Sequence, residues 1–572
     1  MYGPMPSPVR RLLYHSSFGL YTGKDRGGSS VFLLYFLLSP IYNSRMINVL
    51  GYLEKTLERM ADTSKVAFTG GDGRTLSFQE LSVLSRSCGS YLAGLKIKKQ
   101  PIAVFMQKSP QMIAAFFGVV YSGSYYIPLD SEMPAFRIRL ILEAVNPAVI
   151  ICDDVTAALV EQRGLTVATG QGDDSNIVNF NDICAHPIND SALADIRNST
   201  IDADPLYVVF TSGSTGTPKG VVATHRSVID YIENLSEVLC VTENTVFGNQ
   251  SPLYLDACLK EVYTTIKFGA SAFLVPQSLF MFPIRLIEYL NDNGINTICW
   301  VASALSLVAG LGALKAIAPK TLHTIAFGSE VFPIKHYNLW RETLPDARFI
   351  HLYGPTEATG MSCFYEATRT YEPDESIPIG FPFPNTEIIL LDDDGSIVKD
   401  GQPGEICIRG TCLSPGYFGD AEKTAKVFVQ NPLSAFPDLI YRTGDLGRCG
   451  KDGELYYISR RDHQIKHMGH RVELAEIEYV ANSCDNIGLA CAVFDGVESK
   501  IVLYYVGTVG RQGDGSSKSV VRSYLKANLP RYMLPQSIFQ LDELPRTPGG
   551  KLDRVRLLEM YLEQKLSGGR LS

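Results

Sequence analysis

Hydrophobic and polar positions alternate along this chain with two clear periods. From Met46 onward, INVLGYLEKTLERM (47–60) spaces its apolar residues as one face of a helix. KVAFTG and TLSFQE read as short strands or turns, ELSVLSRSCGSYLAGL as a helix, PIAVFMQ as an apolar strand and SPQMIAAFFGVVYSG as a buried helix. YYIPLD and AVIICDD repeat the strand rhythm, which returns at 203–211, 271–276, 297–301 and 321–327. Apolar strands separated by helices predict parallel sheets covered on both faces. Residues 385–458 change to short alternating strands with Gly and Asp turns (TEIILLD, GEICIRG, GELYYIS), predicting a β-rich subdomain. A charged run, SRRDHQIKHMGHR, precedes the helical VELAEIEYVANSC, two further strands (ACAVFDG, IVLYYVG) and a helix in VRSYLKANL. The expected fold is α/β. A large N-terminal domain of layered α/β sheets spans 46–461, and a small mobile C-terminal α/β domain spans 462–572, joined by a polar arginine-rich link. Residues 1–45 hold no sustained period and read as an atypical, disordered extension.

Composition narrows the function classes. The 572 residues carry 52 Lys and Arg against 60 Asp and Glu, a net charge of −8. That excess speaks against a dedicated nucleic-acid binder, which shows a basic domain or stripe. The 12 cysteines form no CxxC pair and read as free thiols of a reducing cytoplasm. No apolar run reaches the roughly 18 residues of a membrane span, and VFLLYFLL (31–38) is too short and too late for a signal peptide. The expectation is a cytoplasmic protein with no membrane and no nucleic-acid partner. His463, His467 and His470 have tempting spacings, yet they stand among Arg, Lys, Gln and Gly with no cysteine to complete a metal set.

Four stretches carry chemistry. In YVVFTSGSTGTPKG (207–220) an apolar strand runs into Thr211, Ser212, Gly213, Ser214, Thr215, Gly216 and Lys219. Glycines let backbone N–H groups curl around an anion, hydroxyls donate to phosphoryl oxygens, and the lysine adds a positive charge. The spacing is not that of a P-loop, because Gly follows the lysine. In HLYGPTEAT (351–359), Tyr353 is placed to face a base, Thr356 a phosphate and Glu357 a magnesium ion, whose hard charge prefers oxygen ligands. The same stretch also fits a simple turn capping a helix. In YRTGDLGR (441–448), Asp445 is placed to accept two ribose hydroxyls, with Arg460 in support. RTPGGKLDR (546–554) puts Lys551 in a glycine-rich loop able to deliver and withdraw a charge.

Together with LSFQEL, YSGSYYIPLD, YLDACLKEVY, SPGYFGD and SRRDHQIKHMGHRVELAEIE, these stretches run in order over about residues 50–555. The chain resembles the adenylate-forming superfamily, in particular the amino-acid-activating adenylation domains of nonribosomal peptide synthetases and the D-alanine–carrier ligases. One departure is Ser459, where the family usually has glycine before its arginine. The resemblance implies two half-reactions. A substrate carboxylate attacks the α-phosphorus of ATP, giving an adenylate and pyrophosphate. The phosphopantetheine thiol of a carrier protein then takes the acyl group. It implies catalytic roles for Lys551, Lys219, Thr356 and Glu357, with Mg2+ on Glu357. Gly328, Ser329 and Glu330 would shape the adenine slot beside Tyr353, Asp462 would be the hinge, and Gly469 would face the pantetheine.

The resemblance also assigns a substrate pocket. Asp256 matches the residue that pairs with an α-ammonium, which favours an amino acid. The walls would be Ala257, Lys260, Trp300, Ile325, Phe327, Leu352, Gly360 and Met361. Lys260 pointing inward would favour an acidic or hydrogen-bonding side chain, whereas outward it would say nothing. Small neutral, hydroxylated and acidic amino acids all stay open. The chain ends soon after Arg554, so the carrier is expected to act in trans and the protein to be a monomer. The alternative is an acyl- or aryl-CoA ligase using free coenzyme A.

Overall fold

The computed structural model describes residues 46–165, 176–213, 218–399, 401–461, 464–508, 516–547 and 552–566. Met46–Ser572 forms one unit, distinct from Met1–Arg45. The expectation for residues 1–45 lies outside the described residues.

The apolar strands assemble into two large sheets. In a nine-stranded sheet, Val66–Thr69, Ser271–Leu274, Val246–Asn249, Thr297–Val301, Thr324–Gly328 and Arg348–Tyr353 run parallel. Antiparallel Thr75–Ser77 closes one edge; Cys363–Glu366 and Phe381–Pro382 close the other. A six-stranded sheet aligns Ile177–Asn179, Val149–Cys152, Pro101–Phe105, Tyr125–Leu129 and Pro205–Thr211 in parallel, with antiparallel Lys219–Thr224 at its edge. Every residue of Pro101–Phe105, Tyr125–Leu129, Thr297–Val301 and Thr324–Gly328 is buried. Burial on both faces is the reason these strands read as unbroken apolar runs.

Helix starts follow local chemistry. TLSFQE divides between two elements. Thr75–Ser77 is strand, and Phe78 opens a helix to Gly94 because the Ser77 hydroxyl accepts the Glu80 N–H while the Glu80 carboxylate accepts the Ser77 N–H. Pro110–Tyr121 starts with proline in its first turn behind a Ser109 cap.

The β-rich region is an antiparallel sheet in which Gly404–Gly410 pairs with Thr386–Leu391 and with the long strand Leu439–Cys449, which also carries Phe428–Gln430 and Leu455–Arg460. A smaller C-terminal α/β lobe follows. It begins with a hairpin of Gln464–His467 and His470–Glu473, so Val472 and Glu473, read as helical from sequence, end a strand before the helix Leu474–Asn482. Ile487–Asp495, Lys500–Gly507 and Ser537–Gln540 form its three-stranded sheet. The lobe has its own core of Val472, Ile477, Leu503, Val521, Leu525 and Ile538. All twelve cysteines are free thiols. Among the described residues, no helix is long and apolar enough to cross a membrane.

Candidate active site

Glu357 is the hub of the cleft. The strand Arg348–Tyr353 ends in a Gly-Pro turn, and a single helical turn, Thr356–Ala358, swings the carboxylate inward until it is fully buried. Arg471, from the C-terminal hairpin, donates one guanidinium nitrogen to both oxygens, at 2.7 and 2.8 Å. The Tyr417 hydroxyl donates to Oε1 at 2.7 Å, and the Lys219 ammonium lies 3.4 Å from the same oxygen. Burial alone would raise the Glu357 pKa, but Arg471, Lys219 and Tyr417 outweigh it and hold the carboxyl far below its ordinary range. Both oxygens are thus engaged by protein cations and a hydroxyl. Mg2+ does not fit Glu357 in this arrangement. Among the described residues, no cluster of three His, Cys, Asp or Glu could hold a metal.

The strands on either side of the phosphate-loop candidate, Pro205–Thr211 and Lys219–Thr224, pair antiparallel, with Thr211 opposite Lys219. Thr211 and Ser212 are buried beside it, and the Thr211 hydroxyl has no partner among the described residues. The Ser212 hydroxyl donates to the Arg471 carbonyl at 2.7 Å. Lys219 sits over the Tyr417 ring, 4.9 Å from its centre. Burial first, then the neighbouring Arg471, pulls the Lys219 pKa down to about 8. Ser214, Thr215 and Gly216 lie outside the described residues, as do Asp462 and Lys551.

Asp445, also buried, is held from two sides. Tyr353 donates its hydroxyl at 2.6 Å and Arg460 a guanidinium N–H at 2.7 Å. Each carboxylate oxygen keeps a second lone pair, so ribose hydroxyls remain acceptable donors. Lys466 stands 5.6 Å from the centre of the Tyr353 ring.

Gly328, Ser329 and Glu330 lie where the strand Thr324–Gly328 leaves the sheet. A Cβ on Gly328 would sit 2.2 Å from the Leu352 carbonyl oxygen, so only glycine fits. Glu330 accepts the Ser303 N–H on one oxygen and the Gly469 N–H, at 2.8 Å, on the other. Gly469 has φ +78°, and a Cβ there would stand 2.6 Å from Val301. A buried Arg137–Glu476 ion pair and a His470–Tyr532 stack at 3.7 Å fasten the same lobe close by.

Asp256 opens a short turn, Asp256–Cys258, ahead of the helix Leu259–Phe268. It keeps some exposed surface. Desolvation raises its pKa against the Thr356 hydroxyl and Lys260. Ala257 is partly exposed beside it. Lys260, one helical turn on, is 4% exposed and lines a small cavity of about 10 Å3 with Cys299, Trp300, Ala326, Phe327, Leu352 and Met361. The predicted walls do not all share one face. Sheet register sets Ile325 beside Ile298 and Phe349, and it packs with them in the opposite core. Trp300 and Phe327 belong to that core and also line the cavity, Trp300 spending its indole N–H on the Gly248 carbonyl. Gly360 abuts the Tyr231 ring.

The motifs left Arg471, Tyr417, Lys466 and Arg137 unassigned. The signal available was a demand for partners: Arg460 was assigned to Asp445, whereas Lys466 and Arg471 in the same cation-rich run had no assigned acceptor.

Two lobes meeting over a hairpin that carries Lys219, a buried glutamate and a buried aspartate define a two-lobed α/β protein. A family model described as AMP-binding enzyme matches residues 53–418, and the chain belongs to this family of AMP-forming adenylating enzymes. It is similar to surfactin synthase subunit 1 of Bacillus subtilis (strain 168), 30% identical over 87% of this chain; the chain spans 14% of that protein's length. Among solved structures it is similar to IdnL1, with TM-score 0.71 and 26% identity over 87% of this chain and 99% of that one. It is also similar to holo-AB3403, a four-domain nonribosomal peptide synthetase bound to AMP and glycine, with TM-score 0.63 and 26% identity over 89% of this chain and 36% of that one. Family membership implies use of ATP.

Proposed function

We propose that the protein activates an amino acid as its aminoacyl adenylate, releasing pyrophosphate, and then passes it to the phosphopantetheine thiol of a carrier protein. The observation that carries the amino-acid reading is Asp256. Its carboxylate lies at the cleft beside Thr356 and forms no ion pair with the described residues, so a substrate ammonium is the partner that offsets its desolvation. The glycine in the holo-AB3403 complex agrees with such a substrate.

In the first step the substrate carboxylate forms a bond to the α-phosphorus and the bond to pyrophosphate breaks. Thr211, Ser212 and Lys219 bind phosphoryl oxygens as negative charge leaves with pyrophosphate. Asp445, held by Tyr353 and Arg460, fixes the ribose. Lys551 bridges the two reacting anions. In the second step the thiol attacks the acyl carbon and AMP leaves. Docking of Gly469 on Glu330 and of Arg471 on Glu357 supports the observed lobe arrangement as that of the second step.

Amino-acid-dependent ATP–pyrophosphate exchange tests the reading, run over both enantiomers of the common amino acids and several simple carboxylic acids. Exchange with an amino acid, lost by 100-fold or more in Asp256→Ala (two or more powers of ten for a buried charged contact), is expected. Exchange only with acids lacking an α-amine, with thioester formed on free coenzyme A, would overturn it.

A further inference from the structure

The C-terminal lobe carries a groove that neither half-reaction uses. It measures about 240 Å3 and lies between the helix Ser516–Asn528 and residues 534–538, which lead into the strand Ser537–Gln540. Its floor is apolar, made by Leu525, Leu534 and Ile538. Leu525 and Ile538 belong to the core of the lobe, so packing fixes the floor in place. Gln536 also lines the groove, but its amide is spent within the lobe. Its Oε1 accepts the Ile501 N–H at 2.6 Å, and its Nε2 donates to the Leu534 carbonyl at 3.1 Å. The polar side chains left at the rim are two cations, Arg522 and Lys526. Both are exposed and enter no ion pair among the described residues.

The spacing of these charges is regular. Arg522 and Lys526 stand one turn apart on the same face of the helix. Lys518 extends the row by another turn, its ammonium 5.9 Å from the centre of the Phe539 ring. The helix holds no acidic residue, in a chain whose 60 acidic residues outnumber its 52 basic ones. Cations gathered along one face attract an acidic partner and repel a basic one. The apolar floor between them suits an amphipathic helix. Carboxylates on successive turns meet the row of cations, and one bulky apolar residue fills the floor.

The groove also adjoins the cleft. His470 follows Gly469, its ring stacks on Tyr532 at 3.7 Å, and Tyr532 stands two residues before Leu534. The helix Ser516–Asn528 packs in addition against Ala135–Val145 of the large lobe. A partner seated in the groove is therefore held next to the hairpin used by the proposed transfer step.

We propose that this groove is the docking surface for the carrier protein, which presents an acidic helix to it. The helix pairs its carboxylates with Arg522 and Lys526 and lays an apolar side chain over Leu525, Leu534 and Ile538. The inference rests on the carrier-dependent second step proposed above and adds where the carrier binds.

The test follows aminoacyl transfer from the full chain to two acceptors, a phosphopantetheinylated carrier protein and free pantetheine. The wild type is compared with Arg522→Gln/Lys526→Gln and with Arg522→Glu/Lys526→Glu. The Glu pair is expected to raise KM for the carrier by roughly tenfold or more with little change in kcat, and the Gln pair by less. Added salt should raise the wild-type KM and leave that of the Glu pair unchanged or lower. Pyrophosphate exchange and transfer to free pantetheine should stay within about twofold in both variants, as exposed substitutions that spare the fold allow. An unchanged KM for the carrier overturns the inference and leaves the carrier reading standing. Equal losses with both acceptors overturn it too, because the pair then serves the fold. Self-association of the wild type that the Glu pair abolishes would assign the groove to a second copy of the chain, again overturning it. Transfer to free coenzyme A but to no carrier overturns the carrier reading and the inference together.

Discussion

At the residue scale, the site is built from charges that lean on distant partners. Glu357 and Arg471 are 114 positions apart, and Tyr353 and Asp445 are 92 apart. Residue types and local motifs made Glu357, Asp445, Thr356 and Lys219 legible as candidates, because each stands close to a glycine in a short stretch of chemistry-bearing residues. Their partners were not legible, because nothing local to Arg471 or Tyr417 tells which carboxylate they will meet. Lys219 yields a pH prediction. Its pKa in the fold, about 8, lies below the roughly 10.4 of a free lysine. Below pH 8 both folded and unfolded chains hold the proton, and the fold bears the cost of a buried charge. Between the two values the folded chain gives up its proton first, so this group's contribution to stability becomes more favourable as pH rises. Phosphate binding moves the other way. The expected outcome is that kcat/KM for ATP, which reports the free enzyme, falls above about pH 8, while Lys219→Arg extends the plateau to higher pH. A profile identical in both proteins would contradict this role.

At the scale of elements, periodicity located strands and helices well where burial is two-sided. The runs PIAVFMQ, YYIPLD and TICWV could only be interior strands once helices flanked them. It could not assign faces across strands. Ile325 and Leu352 both looked like pocket walls, but register pairs Ile325 with Phe349 and Gly328 with Leu352, which sends the two side chains to opposite sides of the sheet. It also gave no sign that the strands flanking the phosphate-loop candidate pair with each other, Thr211 opposite Lys219. The hairpin that turns at Gly469 gives a prediction of its own. Alanine there must hold a left-handed backbone, costing roughly 1–2 kcal/mol, and must also displace Val301. Gly469→Ala should slow transfer to the carrier by about tenfold or more, the equivalent of 1.4 kcal/mol per factor of ten, and leave pyrophosphate exchange near its original rate. The two rates measured side by side check this; equal losses would mean that the glycine serves the fold as a whole.

At the scale of the whole molecule, separate cores in the two lobes suit the two half-reactions proposed for the chain. The C-terminal lobe packs around its own apolar residues and meets the larger lobe through polar contacts: Arg471 on Glu357, Gly469 on Glu330, and Arg137 on Glu476. Such contacts can be exchanged for water or for another set without unfolding either core, which suits an interface that must release. A buried ion pair such as Arg137–Glu476 contributes little net stability, because desolvation offsets most of its attraction, but it does fix the docking geometry. The measurement that bears most directly on this account compares the two half-reactions in Lys551→Ala: amino-acid-dependent pyrophosphate exchange, and transfer from preformed aminoacyl adenylate to a phosphopantetheinylated carrier. If Lys551 serves only adenylation, exchange falls by roughly 100-fold or more (about 2.7 kcal/mol of lost transition-state stabilisation) and transfer stays within a few-fold of the wild type. Parallel loss of both would contradict it.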